Sequence, residues 1–311
     1  MNNYQSNTSW PTPHQNVYET NAIKLLQFSQ GTGTPVVIIP PQAGHHSNIA
    51  DYAPNQSLVQ SAAKNYTGSV YVIEWKSCTY TRRNEGIEDL LSQLNECVSH
   101  VGGSATLVGL CQGGWLATIY AALYPNQVSS LVIAGAPIDT KAGNSVIHRA
   151  TKTPLVLYKA IVMLSGGLML GQTMLTAWKS SDLSKHYFER YVYPDDDARR
   201  FYKWYDHTQD LAGKWYLWAV EHLFKKNLLG KNELTIDGVK VDLSVLNSLK
   251  GVHIVTGVRD DITPSEQSLA LQRYTRAQTY LVDAGHIGVF MSHRGICDVW
   301  NGLFAKLDAA A

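Results

Sequence analysis

The sequence predicts an α/β fold: a doubly wound, mostly parallel sheet with an inserted helical cap. Three observations carry that expectation. Short apolar runs of buried-strand type alternate with stretches whose apolar residues recur at helical spacing. One run, Ala105 to Leu110, ends in Gly109-Leu110-Cys111-Gln112-Gly113 and passes directly into a helical pattern, as a sharp strand–turn–helix does. Between Asp139 and Leu249 the alternation stops and large aromatic residues crowd the chain.

Composition sets the outer limits. A chain of 311 residues, 45% hydrophobic and 16% charged, can bury one large core with an insertion. A formal net charge of +1 leaves no electrostatic footprint for nucleic acid. The start, Met1-Asn2-Asn3-Tyr4-Gln5, lacks the basic-then-apolar pattern of a secretory signal. The four cysteines, Cys78, Cys97, Cys111 and Cys297, form no Cys-x-x-Cys pair. Together these features predict reduced thiols and a cytoplasmic protein.

In chain order, residues 1–16 are polar and read as a loose arm. The core is expected over 17–139 and 250–311, with the cap over 140–249. Val17 to Phe28 suits an opening strand or hairpin. Pro35 to Pro40 and Ser69 to Trp75 are β-branched or aromatic strand runs. Glu88 to Val98 carries Leu90, Leu91, Leu94 and Val98 on one helical face. The strand ending at Leu110 comes next, with its helix running through Leu116, Ala117, Ile119, Tyr120 and Leu123 to Pro125. Leu131 to Ala136, Val252 to Thr256 and Thr279 to Val282 supply the remaining strands.

The cap segment holds Trp178, Tyr187, Phe188, Tyr191, Tyr193, Phe201, Tyr202, Trp204, Tyr205, Trp215, Tyr216 and Trp218. Packing accounts for most such residues. Trp215 and Trp218 are the candidates for contact with an apolar substrate. Leu155 to Leu175 is apolar enough to raise the question of a membrane span. Lys159, Ser165 and Gly166-Gly167 interrupt it, and the uninterrupted part falls short of the roughly 20 residues a bilayer requires. A cap helix is expected there.

Three further stretches suggest chemistry. A cysteine at a strand–helix turn sits at a helix N-terminus, which favours the thiolate, and the N–H of Gln112 points where an oxyanion develops. Downstream, Gly257-Val258-Arg259-Asp260-Asp261 places an acid just past a strand. Asp260 is preferred as the catalytic acid and Asp261 is its competitor. Asp283-Ala284-Gly285-His286-Ile287-Gly288 places a histidine on a glycine-flanked loop after the next strand. The order nucleophile, acid, histidine is the one this elbow requires. His286 would take the Cys111 proton and Asp260 would fix its tautomer. Pro40-Pro41-Gln42-Ala43-Gly44-His45-His46 lies after the strand whose loop supplies the second oxyanion donor, assigned to the N–H of Gln42 or Ala43. His45 and His46 are substrate-side candidates. No third ligand accompanies them, so no metal is expected.

With these residues in place, the chain resembles the cysteine α/β-hydrolases of polyhydroxyalkanoate metabolism: the intracellular polyhydroxybutyrate depolymerases and the polyhydroxyalkanoate synthases. The resemblance runs from about Val17 to Leu307. Gly109 to Gly114, with Tyr120 to Pro125, is similar to the synthase nucleophile box, and Glu233 to Leu243 occurs in similar form in both groups. Ala43 to His46, Gly135 to Thr140 and Asp260-Asp261-Ile262 look more like the depolymerases; Gly285 to Phe290 is compatible with either. Synthases usually have Asp-His where this chain has Asp260-Asp261, and depolymerases of this type usually have Pro at Gly113. The resemblance implies an α/β-hydrolase fold with Cys111, Asp260 and His286 as nucleophile, acid and base. The function it favours is cleavage of intracellular poly(3-hydroxyalkanoate) through a cysteine acyl-enzyme. Its rivals are synthesis from 3-hydroxyacyl-coenzyme A by the same triad, a small-ester or lactone hydrolase, and a non-catalytic granule-binding protein. No cofactor is implied, with coenzyme A entering only as acyl donor or acceptor. The expected partner is polyester polymer or a granule surface, and a homodimer is left open.

Overall fold

The computed structural model describes residues 9–179 and 196–310. Eight strands form the main sheet: β1 (Gln15–Glu19), β2 (Ile23–Ser29), β3 (Gly33–Ile39), β4 (Gly68–Trp75), β5 (Ala105–Leu110), β6 (Val128–Ala134), β7 (Gly251–Gly257) and β8 (Ala277–Val282). Their order across the sheet is β1-β2-β4-β3-β5-β6-β7-β8. β1 and β2 make an antiparallel hairpin, and β2 also runs antiparallel to β4. Every other neighbouring pair is parallel. Each predicted strand is present within a few residues of its expected bounds.

Alternation along the strands divides the core into two layers. In β3, Val36 and Ile38 face the layer formed by α1 (Leu58–Asn65) and the C-terminal helix Asn301–Ala310. Val37 and Ile39 face the opposite layer, formed by α2 (Ile87–His100) and α3 (Gln112–Leu123). All six residues of β5 are buried, as a central strand covered on both faces should be. α3 is buried along almost its whole length, which fixes the direction in which its N-terminus points.

The N-terminal arm departs from expectation. Residues 1–8 lie outside the described residues, but Trp10 and Thr12 tie the rest of the arm to the core. Trp10 Nε1 donates to Glu74 Oε2 at 2.6 Å, and the Thr12 amide and hydroxyl donate to the Asp51 carboxylate at 2.9 and 2.8 Å. A carboxylate as fully buried as Asp51 needs such donors, and the arm brings them.

The segment between β6 and β7 contains the helices Val146–Ala150, Leu155–Leu164, Gly171–Lys179, Asp196–Tyr205 and Gly213–Trp218. Two small ladders join them: Leu168–Met169 with Leu211–Ala212, and a hairpin of Thr235–Ile236 with Val239–Lys240. That hairpin turns through Asp237 and Gly238, both at positive φ, the Asp-Gly chemistry of a tight two-residue turn. The Trp178 side chain and residues Tyr187, Phe188, Tyr191 and Tyr193 lie outside the described residues. Among the described residues no helix is long and apolar enough to cross a membrane.

Candidate active site

Cys111 occupies the single residue between β5 and α3, at φ 50° and ψ −115°. The other non-glycine residues at positive φ among those described are Asn and Asp, which tolerate the region. A cysteine held there stores about 1–2 kcal/mol of backbone strain, of the kind that clusters at functional sites. The flanking glycines allow the turn. A Cβ on Gly113 would run into the Ile39 carbonyl, and one on Gly109 into Gly113 and Gly114 of the helix. The strand-to-helix crossing is therefore closed to any larger residue. Cys111 itself is only partly buried.

His286 comes after β8 and lies against the elbow. Its Nδ1 is 2.8 Å from Asp260 Oδ2, and Cys111 is close enough to act electrostatically on the ring. Burial pushes the imidazole toward its neutral form. The electrostatic pull of Cys111 and Asp260, with the Asp260 hydrogen bond, outweighs that and raises the imidazole's pKa to about 10. Gly135, at φ 50° just past β6, leaves room for the ring: a Cβ there would lie 3.3 Å from His286 Cε1 and 3.1 Å from Phe290 Cζ.

Asp260, not Asp261, faces the histidine. Its Oδ1 accepts from the amides of Ile262 and Thr263 at 3.0 and 2.8 Å, a turn that fixes the carboxylate in place. Asp261 is exposed. Thr263 was not anticipated from the sequence. Its fully buried hydroxyl lies 2.9 Å from His286 Nδ1, 3.0 Å from Asp260 Oδ2 and 2.9 Å from the Gly135 carbonyl. The available signal was the Asp-x-x-Thr spacing from Asp260, which reads as a turn closed by its own side chains.

The loop after β3 meets the elbow in an unexpected way. The amides of Gln42 and Ala43, expected as oxyanion donors, both donate to the side-chain Oε1 of Gln112 at 2.6 Å. On its far side the loop is gripped by the cap. Gln209 Nε2 donates to the Gln42 carbonyl at 3.1 Å, Trp204 Nε1 donates to the His46 carbonyl at 3.2 Å, and His45 forms a bridge with Thr208.

The substrate-side candidates separate. His45 stacks against Trp204 and Tyr205 at ring-centre distances of 4.6 and 4.3 Å. His46 is a buried structural residue: its Nδ1 accepts from the Asn48 amide and caps the short helix Ser47–Ala50. Burial drives its proton affinity down to about 4, against the pull of Glu74. Trp215 is 1% exposed and packs in the α2–α3 layer, the opposite layer to the one that Cys111 packs against, which leaves it no ligand surface. Trp218 packs on that same layer and stacks on His222. The short helix Gly213–Trp218 thus turns Trp215 inward, away from any substrate, while Trp218 stays partly exposed.

The arrangement finds parallels among known proteins. The poly(3-hydroxyalkanoate) polymerase subunit PhaC of Haloferax mediterranei is 25% identical over 93% of this chain. That of Synechocystis sp. is 28% identical over 90%. This chain spans 62% of the length of the first and 80% of the second. Among solved structures, the monoacylglycerol lipase of Paleococcus ferrophilus superposes with a TM-score of 0.63 at 16% identity, covering 93% of this chain and 99% of that one. An epoxide hydrolase of Bacillus megaterium gives 0.61 at 15% identity, covering 95% and 100%. These likenesses fix the fold as that of the α/β-hydrolases. Residues 26–305 match a single family throughout, and the chain belongs to that family, described as "Protein of unknown function (DUF3141)".

Proposed function

We propose that this protein is a cysteine acyltransferase of the polyhydroxyalkanoate polymerase type, with Cys111 as nucleophile, His286 as base and Asp260 as its orienting acid. The observation that carries the reading is the His286 ring, bonded to Asp260 and electrostatically coupled to the strained Cys111. Relatives that carry the polymerase name support the direction of synthesis over the cleavage that the sequence motifs favoured.

The reaction has two acyl transfers. The Cys111 sulfur, its proton held by His286, attacks the carbonyl carbon of a 3-hydroxyacyl thioester. The C–S bond to coenzyme A breaks, the departing thiolate takes the His286 proton, and an acyl-Cys111 thioester remains. His286 then removes the proton of a chain-end hydroxyl, whose oxygen attacks the new thioester. An ester forms as the acyl carbon–sulfur bond breaks, leaving Cys111 as the thiolate with the proton on His286. Exchange of one thioester for another is nearly isoenergetic, whereas forming Cys111 thioester from a polymer ester runs uphill. A cysteine nucleophile therefore suits thioester input better than ester input.

The test is two incubations of the purified protein, one with 3-hydroxybutyryl-coenzyme A and one with amorphous polyhydroxybutyrate. Release of coenzyme A with formation of polymer is expected. Release of soluble hydroxybutyrate from the polymer, with the thioester untouched, would return the function to hydrolysis.

A further inference from the structure

Two consecutive amides, those of Gln42 and Ala43, converge at 2.6 Å on one oxygen, the side-chain carbonyl of Gln112. A pair of preorganised N–H groups aimed at one oxygen is what stabilises an oxyanion during acyl transfer. Here an internal amide fills the place. Gln112 is the residue immediately after the nucleophile and is 5% exposed. Its Nε2 has no hydrogen-bond partner among the described residues, and neither has Oε1 of Gln42. A carboxamide serving only as a brace would be expected to satisfy both of its ends. This one satisfies only the end that occupies the two amides.

We propose that the Gln112 side chain is a built-in occupant of the oxyanion site, displaced by the carbonyl of an incoming acyl ester or thioester. The inference rests on the reading of Cys111 as acyl acceptor. The loop that carries the two amides is clamped from its other side by residues 204–209, through Gln209 to the Gln42 carbonyl, Trp204 to the His46 carbonyl and the His45–Thr208 bridge. A shift of the cap at Trp204–Gln209 therefore moves the donors away from Gln112. The occupant disfavours acylation by small soluble acyl groups, which must displace a bonded carbonyl with little binding energy of their own. A substrate that engages the cap at the same time gains access more readily.

Two rates separate this role from a bracing one. Stopped-flow acylation of Cys111 by p-nitrophenyl butyrate, read as the p-nitrophenolate burst, requires the oxyanion site. Alkylation of Cys111 by iodoacetamide consumes the same sulfur without that site, so the ratio of acylation to alkylation isolates it. Gln112→Met keeps the length and removes the acceptor oxygen; Gln112→Ala removes the same oxygen with less bulk; Gln112→Glu strengthens the acceptor. The ratio is expected to rise about tenfold in the Met and Ala variants, the scale of one net hydrogen bond, and to fall in the Glu variant. A ratio that falls or stays level in both Met and Ala overturns the proposal and makes Gln112 a brace of the loop, with Cys111 still an acyl acceptor. No burst in wild type or any variant, with Cys111 still alkylated, contradicts the acyl-transfer reading itself and removes the proposal with it.

Discussion

Asp260 Oδ2 sits 2.8 Å from His286 Nδ1, while Asp261, the next residue, points to solvent and uses its carbonyl to accept the Val146 amide at 3.3 Å. Of the two adjacent carboxylates, only that of Asp260 meets the histidine. Asp260→Asn should lower kcat by about 10⁴, the scale of the analogous change in a serine triad, because the amide stabilises the wrong tautomer. Asp261→Asn should change kcat by less than about threefold, as expected of an exposed side chain. A steady-state comparison of the two variants decides it, and the reverse ranking would move the role to Asp261.

Thr263 lies where both the acid and the base can reach it. Thr263→Val should leave Asp260 Oδ2 one donor short and loosen the ring. We expect kcat to fall by about ten- to a hundredfold, in line with loss of a hydrogen bond to a charged group. Thr263→Ser, which restores the hydroxyl, should recover most of it, and the pH profile of kcat should shift in the Val variant alone. A Val variant with wild-type kcat and profile would reduce Thr263 to packing.

Acid should weaken the fold through its buried neutral histidines. Burial lowers the proton affinity of His46 and of His253 to about 4, opposed at His46 by Glu74 and aided at His253 by Lys306. Their folded values lie below the unfolded value near 6.5, so the stability they confer is complete above that pH. It is lost as pH falls toward 4, because the unfolded chain takes up protons that the folded chain refuses. For His46 the loss is on the order of 3 kcal/mol. Urea midpoints at about pH 7, 5.5 and 4 should fall in that order. His46→Asn, which can still cap the helix at Ser47, should flatten the decline; an unchanged slope would discount His46.

The helix Leu155–Leu164 leaves Val156, Leu157, Met163 and Leu164 more than half exposed, an apolar face on the insertion. On amorphous polyester particles, hydrogen exchange over Leu155–Leu164 should slow while α3 stays protected throughout. Met163→Glu with Leu164→Glu should weaken binding to particles several-fold and spare acylation by a soluble short ester. Exchange unaffected by particles would mean that this face plays no part in meeting the polymer.

The strands and the elbow were legible because their signals are local: a buried strand is a run of neighbouring apolar residues, and the Cys111 turn needs glycines two residues to either side. His286 was legible for the same reason, between Gly285 and Gly288 after β8. Position favoured Asp260 without excluding Asp261, since the two are adjacent and only the turn at Ile262–Thr263 orients Asp260 inward. The contacts that escaped are between distant residues. Trp10 meets Glu74 across 64 positions, and the Gln42 amide meets Gln112 across 70. The Trp215 position misled because aromatic density marks a segment without saying which side of a short helix faces the core.

Acyl transfer from a 3-hydroxyacyl thioester to Cys111 is read by intact-protein and peptide mass spectrometry after rapid quenching of the protein mixed with 3-hydroxybutyryl-coenzyme A. A 3-hydroxybutyryl adduct is expected on the peptide containing Cys111, with one coenzyme A released for each adduct, further hydroxybutyryl units as turnover proceeds, and none of these in Cys111→Ala. Coenzyme A release that persists in Cys111→Ala, or an adduct carried by Cys78, Cys97 or Cys297 instead, would contradict transfer to Cys111.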